Sequence, residues 1–265
     1  MRSGRPISYR EHVNLTLEMS LQPSAAAGVH DRLVLGYHGV SDTVSSQLTV
    51  STEALRRQLV KLLDSGYVGT TFNRAVLDPS VSLRLAVTFD DGERNVLEHA
   101  FPVLSELGIP GTVFVPVGVM AGPGQLDWDE LARLAAAGWE IGSHSLSHAR
   151  LTHVDDDALD HELHSSREAI EDKLGRPCRS IAYPYGAFDE RVRAAAARAG
   201  YTAGCTTAGT LRADVLGWPR VGVDGNDGRV LFRLKTSKLG RSLRGTPLRR
   251  PCDRAGRAIR RLSVR

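Results

Sequence analysis

Cysteine is nearly absent: Cys178, Cys205 and Cys252 are the only three in 265 residues, an odd number without metal-ligand spacing. That excludes a disulfide framework and points to a reducing compartment. No run of about 18 apolar residues occurs, so no segment reads as a membrane-spanning helix. Met1 to Ala27 also lacks the unbroken apolar stretch of a signal peptide, because Glu11, His12, Asn14 and Glu18 interrupt it. These absences predict a soluble, cytoplasmic chain. Aromatics are missing from Leu239 to Arg265, which removes the stacking platform that a single-stranded nucleic-acid site needs.

What is present divides into three parts. Residues 1–30 show no sustained periodicity and read as a flexible leader. Residues 31–228 carry the apolar patterning of one catalytic domain, within a chain that is 42% apolar and large enough for one core. Residues 229–265 are a basic C-terminal tail with thirteen Lys or Arg against the single acid Asp253, a net +12 that leaves −8 on the remainder. Such a tail is either a solvated charged segment or a contact to an anionic surface. Anionic partners of that kind are a phospholipid leaflet at the inner membrane face, a pyrophosphate-linked glycan carrier or an acidic polysaccharide.

Short β-forming runs alternate with helical patterns. Strands are expected at Leu33 to Tyr37, Tyr67 to Phe72, Leu85 to Phe89, Gly111 to Val117, Trp139 to Ser143, Ser180 to Tyr183, Thr202 to Thr206 and Pro219 to Val223. Helices are expected after Thr52, as its cap, and over Asn95–Leu107, Trp128–Ala137, Asp155–Leu174 and Glu190–Ala199. This alternation implies parallel strands with right-handed crossovers, and seven or eight units favour a closed or nearly closed α/β barrel. Functional residues then sit just after the strands, at the C-terminal mouth. That rule selects His38, Asp90 and Asp91, His144 and His148, the Tyr183–Gly186 turn, Arg220 and Asp224.

His144 and His148 stand four residues apart in His-Ser-Leu-Ser-His. With Asp91 they form a set of two imidazoles and one carboxylate that suits a divalent cation, Zn²⁺ by preference for hydrolysis. His99, His153, His161 and His164 fall on helices or turns and read as surface or capping residues.

Thr88-Phe89-Asp90-Asp91-Gly92 and His144-Ser145-Leu146-Ser147-His148 resemble the first two motifs of the NodB-type polysaccharide deacetylases, carbohydrate esterase family 4, over roughly Leu33 to Asp224. The resemblance implies a distorted (β/α) barrel of about seven parallel strands. It also implies a metal-dependent hydrolase that removes N-acetyl groups from an amino sugar in a polysaccharide or lipid-linked glycan. Asp91, His144 and His148 would hold the metal, and Asp90 would be the base acting on metal-bound water. The metal and a backbone N–H near Tyr185 would be the candidates for stabilising the oxyanion.

Two positions depart from that pattern. Ala182 stands where the family's third motif usually carries an arginine that orients the base; Arg220 is the expected replacement. No histidine follows His164, so the late histidine that serves many members as general acid is missing. His38 is the expected substitute, an arrangement similar to exopolysaccharide-type members. Tyr183, Tyr185 and Trp218, the last in an Asp-x-x-x-Trp run from Asp214, are expected to line the sugar groove, and Asp224 to support Arg220 or His38. The competing readings are a deformylase or other amide hydrolase on a lipid-linked amino sugar, and a non-catalytic carbohydrate-binding barrel.

Overall fold

The computed structural model describes residues 31–44, 46–79, 83–120, 122–207 and 214–242. The leader over 1–30 and the basic segment from 243 onward lie outside the described residues. The strands are β1 (Arg32–Tyr37), β2 (Gly39–Val40), β3 (Thr49–Val50), β4 (Val68–Thr70), β5 (Arg84–Phe89), β6 (Thr112–Val115), β7 (Glu140–Ser143), β8 (Ser180–Ala182), β9 (Ala203–Thr206), β10 (Trp218–Pro219) and β11 (Val221–Gly222).

The main sheet runs β10-β9-β8-β7-β6-β5-β1-β11, and every pairing in it is parallel. Its two ends are consecutive pieces of one stretch, Trp218 to Gly222, interrupted at Arg220. Trp218 and Pro219 register with Cys205 and Thr206 on one side, and Val221 and Gly222 with Leu35 and Gly36 on the other. The sheet is thereby wrapped into a nearly closed barrel, held at the seam by short ladders. Its distortion has a local cause. β1 takes one whole edge of β5, while the other edge is shared: β4 pairs with Arg84 to Ala86 and β6 only with Thr88 and Phe89.

Alternation along each strand separates two cores. Leu33, Leu35, Leu85, Val87, Phe89, Ile141 and Ile181 face outward into a continuous layer under the surrounding helices. Val34, Ala86, Phe114, Ala182, Cys205 and Trp218 fill the barrel interior with Phe72 and Val76. The surrounding helices span Thr52–Leu63, Phe101–Glu106, Trp128–Ala136, Asp156–Leu174, Glu190–Arg198 and Arg229–Thr236. Asp127, Asp155 and Asp189 each cap a helix by accepting a backbone N–H three residues on.

Four expectations change. Ser51, not Thr52, caps the first of these helices, accepting from Ala54 N at 3.2 Å. The single helix expected over Asn95–Leu107 is a π turn at Val96–Ala100 followed by Phe101–Glu106; Pro102 has no N–H for a regular helical bond. The strand expected to Phe72 ends at Thr70, and Phe72–Leu77 is a helix that plugs the barrel floor. Its first N–H groups donate to Thr112 Oγ1 and Glu140 Oε2 at 2.9 and 2.8 Å, partners that only the folded sheet supplies. Finally, the basic C-terminal segment begins as structure: Arg229–Thr236 and Lys238–Ser242 are helical, and Phe232 is 3% exposed.

Gly142 faces this interior, where a Cβ would lie 2.6 Å from the Phe114 ring and 2.7 Å from Ser180 Oγ. Gly142→Ala is expected to lower stability by about 1–3 kcal/mol through overpacking, read as a lower urea midpoint; an unchanged midpoint would show that the floor packing yields.

Candidate active site

Asp90 leaves β5 at the mouth, and its N–H donates to Tyr37 O at 3.0 Å. Register therefore sets it beside His38, the residue that follows β1. Arg220 sits at the break between β10 and β11, its N–H on Thr206 O at 3.0 Å and its side chain turned into the barrel. Nη1 donates to Asp90 Oδ1 at 2.7 Å and Nη2 to Oδ2 at 2.6 Å, a bidentate pair. Nη1 also donates to Thr88 Oγ1 at 2.9 Å. The pair is almost fully buried, at 1% and 5% side-chain exposure. Burial pushes the Asp90 carboxyl up, but the Arg220 guanidinium, with His144 and His38, outweighs it and holds the group below the usual carboxylate range. Burial likewise disfavours the charge on Arg220, and Asp90 overrides it to raise the guanidinium above its ordinary value.

Asp91, His144 and His148 converge with one ligand atom each, all within 4.8 Å of one another. Both Nε2 atoms approach Asp91 Oδ1, at 3.4 Å from His144 and 3.3 Å from His148. His144 Nδ1 lies 2.7 Å from Ala182 O; a carbonyl only accepts, so Nδ1 carries the proton. In neutral His144 the Nε2 lone pair then faces a carboxylate lone pair, an arrangement that a cation between them resolves. The donor set thus fits a divalent metal. Burial opposes charge on Asp91 as well, yet the facing imidazoles of His144 and His148 hold the carboxyl far below the ordinary range.

The loops that carry these ligands are braced. Glu162 accepts from Leu146 N and Ser147 N, both at 2.9 Å, and from the Ser147 hydroxyl. Tyr185 OH lies 3.2 Å from His148 Nδ1, and the Arg150 guanidinium stands 4.7 Å above the Tyr185 ring, which is 59% exposed. No sequence signal marks Glu162, since its helix position becomes relevant only once the 144–148 loop folds over it. Thr88 is legible only as part of the motif strand.

Not every expected residue reaches the mouth. Tyr183 is fully buried, its hydroxyl donating to Leu216 O at 2.7 Å; it belongs to the outer core and lines no groove. Trp218 is 4% exposed and packs inside the barrel with Phe114, Ala182 and Cys205, because its strand position points inward below Arg220. Asp214 is occupied by Leu216 N at 3.0 Å. Asp224 supports neither Arg220 nor His38; it lies 3.5 Å from Lys235 Nζ and is half exposed. His99, His153, His161 and His164 join no metal-ligand group among the described residues.

Residues 81–204 match the profile of the polysaccharide deacetylase family. A Bacillus subtilis protein provisionally named polysaccharide deacetylase YxkH is 28% identical over 180 residues, covering 66% of this chain and 63% of that protein. A chitooligosaccharide deacetylase of Rhizobium leguminosarum bv. trifolii is 30% identical over 115 residues, covering 43% and 52%. The chain spans less than two-thirds of the length of the curated relatives it matches. Among solved structures, a polysaccharide deacetylase from Bacillus cereus superposes with a TM-score of 0.69 at 27% identity, covering 77% of this chain and 68% of that one. Barrel, motif residues and profile agree: over residues 81–204 the chain is similar to the polysaccharide deacetylase family, and its fold is NodB-like.

Proposed function

We propose that this chain removes N-acetyl groups from amino sugars of a polysaccharide or lipid-linked glycan by metal-dependent hydrolysis of the amide bond. One observation carries the reading: at a single barrel mouth, a buried carboxylate clamped by arginine adjoins a carboxylate that meets two imidazole nitrogens.

Asp91, His144 and His148 would hold the cation, with Zn²⁺ the natural fit to this donor set; such an ion, when bound, polarises the acetyl carbonyl and makes water nucleophilic near neutral pH. Asp90 takes the proton of the attacking water, and Arg220 keeps that carboxylate ionised and aimed. The resulting oxyanion needs a fixed donor. In the Pro184–Gly186 turn the Gly186 and Ala187 N–H groups are spent on Tyr183 O and Pro184 O, which makes the Tyr185 N–H the candidate. As the C–N bond breaks, His38 protonates the leaving amine; acetate and the free amino sugar are the products. The exposed Tyr185 ring, backed by Arg150, is the aromatic surface at the mouth suited to a sugar face.

Purified protein given Zn²⁺ is expected to release acetate from N-acetylated glycans, to lose that activity on chelation and to regain it on metal addition. Asp90→Asn should reduce kcat by about 10²–10⁴-fold with metal content unchanged. Formate release in place of acetate would redirect the reading to a deformylase, and metal-free protein as active as the loaded form would sink it.

Arg220→Ala is expected to lower kcat more than it changes KM, and to cost about 3–5 kcal/mol in stability because Asp90 is left buried without its partner. Undiminished deacetylation would remove Arg220 from the mechanism. His38→Gln should slow turnover by a similar general-acid factor, about 10²-fold or more, without loss of stability; near-normal kcat on an acetamide substrate would assign the acid elsewhere.

A further inference from the structure

The Arg229–Thr236 helix packs against the outside of the barrel through one face. Phe232 and Thr236 are buried on it, and Lys235 turns inward to donate to Asp227 Oδ2 at 2.6 Å and Gly222 O at 3.1 Å. At 100° per residue this sets Val230 and Leu234 at the centre of the opposite face. Val230 is 82% exposed, Leu234 53% and the adjacent Leu231 44%. Leu239, on the short helix that follows, is 67% exposed. Single exposed apolar residues are ordinary, but a ridge of them on one helix face is a contact surface in search of an apolar phase.

Beside the ridge, Arg229 and Arg233 line a cavity of about 310 Å³ together with Arg57 and Lys61 of the Thr52–Leu63 helix, over a floor of Gln58 and Phe232. Asp227, the acid in this wall, is already bound to Lys235. Arg57 shares Glu53 at 2.8 Å, a carboxylate 82% exposed to solvent. The sequence after residue 242 adds eight arginines and one aspartate.

We propose that this face docks on an anionic phospholipid leaflet. Val230, Leu231 and Leu234 enter the boundary between headgroups and acyl chains, while Arg57, Lys61, Arg229 and Arg233 take lipid phosphates at the cavity. Charge alone does not choose the leaflet, since an acidic polysaccharide would also match the cations. The ridge decides: a polysaccharide leaves it in water, whereas a leaflet covers both features at once. The mode is interfacial, and no helix among the described residues is long and apolar enough to cross a membrane. Residues 229–265 carry a net charge of +12 and the rest of the sequence −8, so the excess of basic charge is concentrated in the stretch that begins with the ridge helix. The proposal does not rest on the deacetylase reading.

Flotation of the full-length protein with phosphatidylcholine vesicles, with and without phosphatidylglycerol, tests it. Binding is expected to require phosphatidylglycerol and to weaken with salt. At low salt Arg229→Gln with Arg233→Gln should lower the partition about 25-fold, roughly fivefold per cation. Val230→Ser with Leu234→Ser should lower it about tenfold while thermal unfolding and acetate release from a soluble glycan stay as in the parent, which separates this face from the active site. A full-length variant with the arginines after residue 242 changed to glutamine should remain sensitive to both double substitutions. The proposal is overturned if the ridge variant partitions like the parent, if the tail variant alone abolishes binding, or if the protein binds heparin but neither vesicle type.

Discussion

Everything at the mouth depends on one buried ion pair, Asp90 with Arg220. Removing two charges from water is costly, and such a pair contributes little net stability compared with apolar residues of the same volume. Here the surroundings are shaped to admit it. Gly36, facing inward on β1, leaves room for the guanidinium, with the nearest Arg220 atoms 3.5 Å from where a Cβ would stand. Thr88 accepts a further bond at 2.9 Å, and the Phe114 ring lies 5.7 Å below the guanidinium carbon. The same residue marks the break in the strand that closes the sheet, with Pro219 paired to β9 and Val221 to β1. Closure of the barrel and placement of the cation are therefore one event, and the seam is the element that fixes Asp90. An arginine at position 182 would enter the same interior from β8; with Ala182 there, the volume goes to Trp218 and the cation arrives from the seam.

The barrel floor holds a partly buried carboxylate that behaves in the opposite way. Glu140, at the floor, is driven up in pKa by burial; hydrogen bonds from Ser180 and the Asn73 N–H only moderate the shift. Asp90 is the more buried of the two, at 3% exposure, and is nevertheless held down. The difference is a full positive charge at bidentate distance, against neutral donors. The barrel thus keeps its protonation-prone acid beneath the plug helix and its ionised acid at the mouth, with Phe114 and Trp218 between them.

The motif strand, the His144/His148 loop and the strand–helix alternation were legible because each is a local pattern: a β run ending in acids, two imidazoles at fixed spacing, short β-forming runs between helical patterns. Alternation predicted a closed or nearly closed parallel barrel of seven or eight units, and about seven strands followed from the family resemblance. Arg220 was legible as a strand-end residue, and its pairing with Asp90 was expected only through the resemblance, whose motif arginine is missing at Ala182. What stayed hidden depends on where a side chain points after folding. Tyr183 and Trp218 carry the right chemistry for a sugar groove, but strand alternation and the seam turn them into packed cores. The Phe72–Leu77 helix was hidden because its first N–H groups are satisfied by Thr112 and Glu140, far away in the chain. Asp224 was misread because Lys235, on the next helix, engages it. Glu162 left no trace because a carboxylate on an amphipathic helix ordinarily faces water.

The two halves of the site are held by different means. Asp90 and Arg220 have ordinary backbones and take their positions from strand register. Asp91, Ser145, His148 and Tyr185 have positive φ, between 60° and 68°, and are the non-glycine residues that do so among those described. Each such conformation costs on the order of 1 kcal/mol or more and persists only where neighbours over-determine it. Those neighbours are identifiable. Leu126 N donates to Gly92 O at 2.8 Å, and the Gln125 amide, turned with its nitrogen inward, reaches the Asp91 and Gly92 carbonyls. Glu162 holds the turn between Ser145 and His148, and Thr206 Oγ1 donates to Gly186 O at 2.9 Å beside Tyr185. Strain is therefore concentrated in the turns that carry Asp91, His148 and Tyr185, where a left-handed residue swings a side chain back over the mouth that a continued strand would carry away from it. The sheet fixes Asp90, and braced turns bring Asp91, His144 and His148 to it.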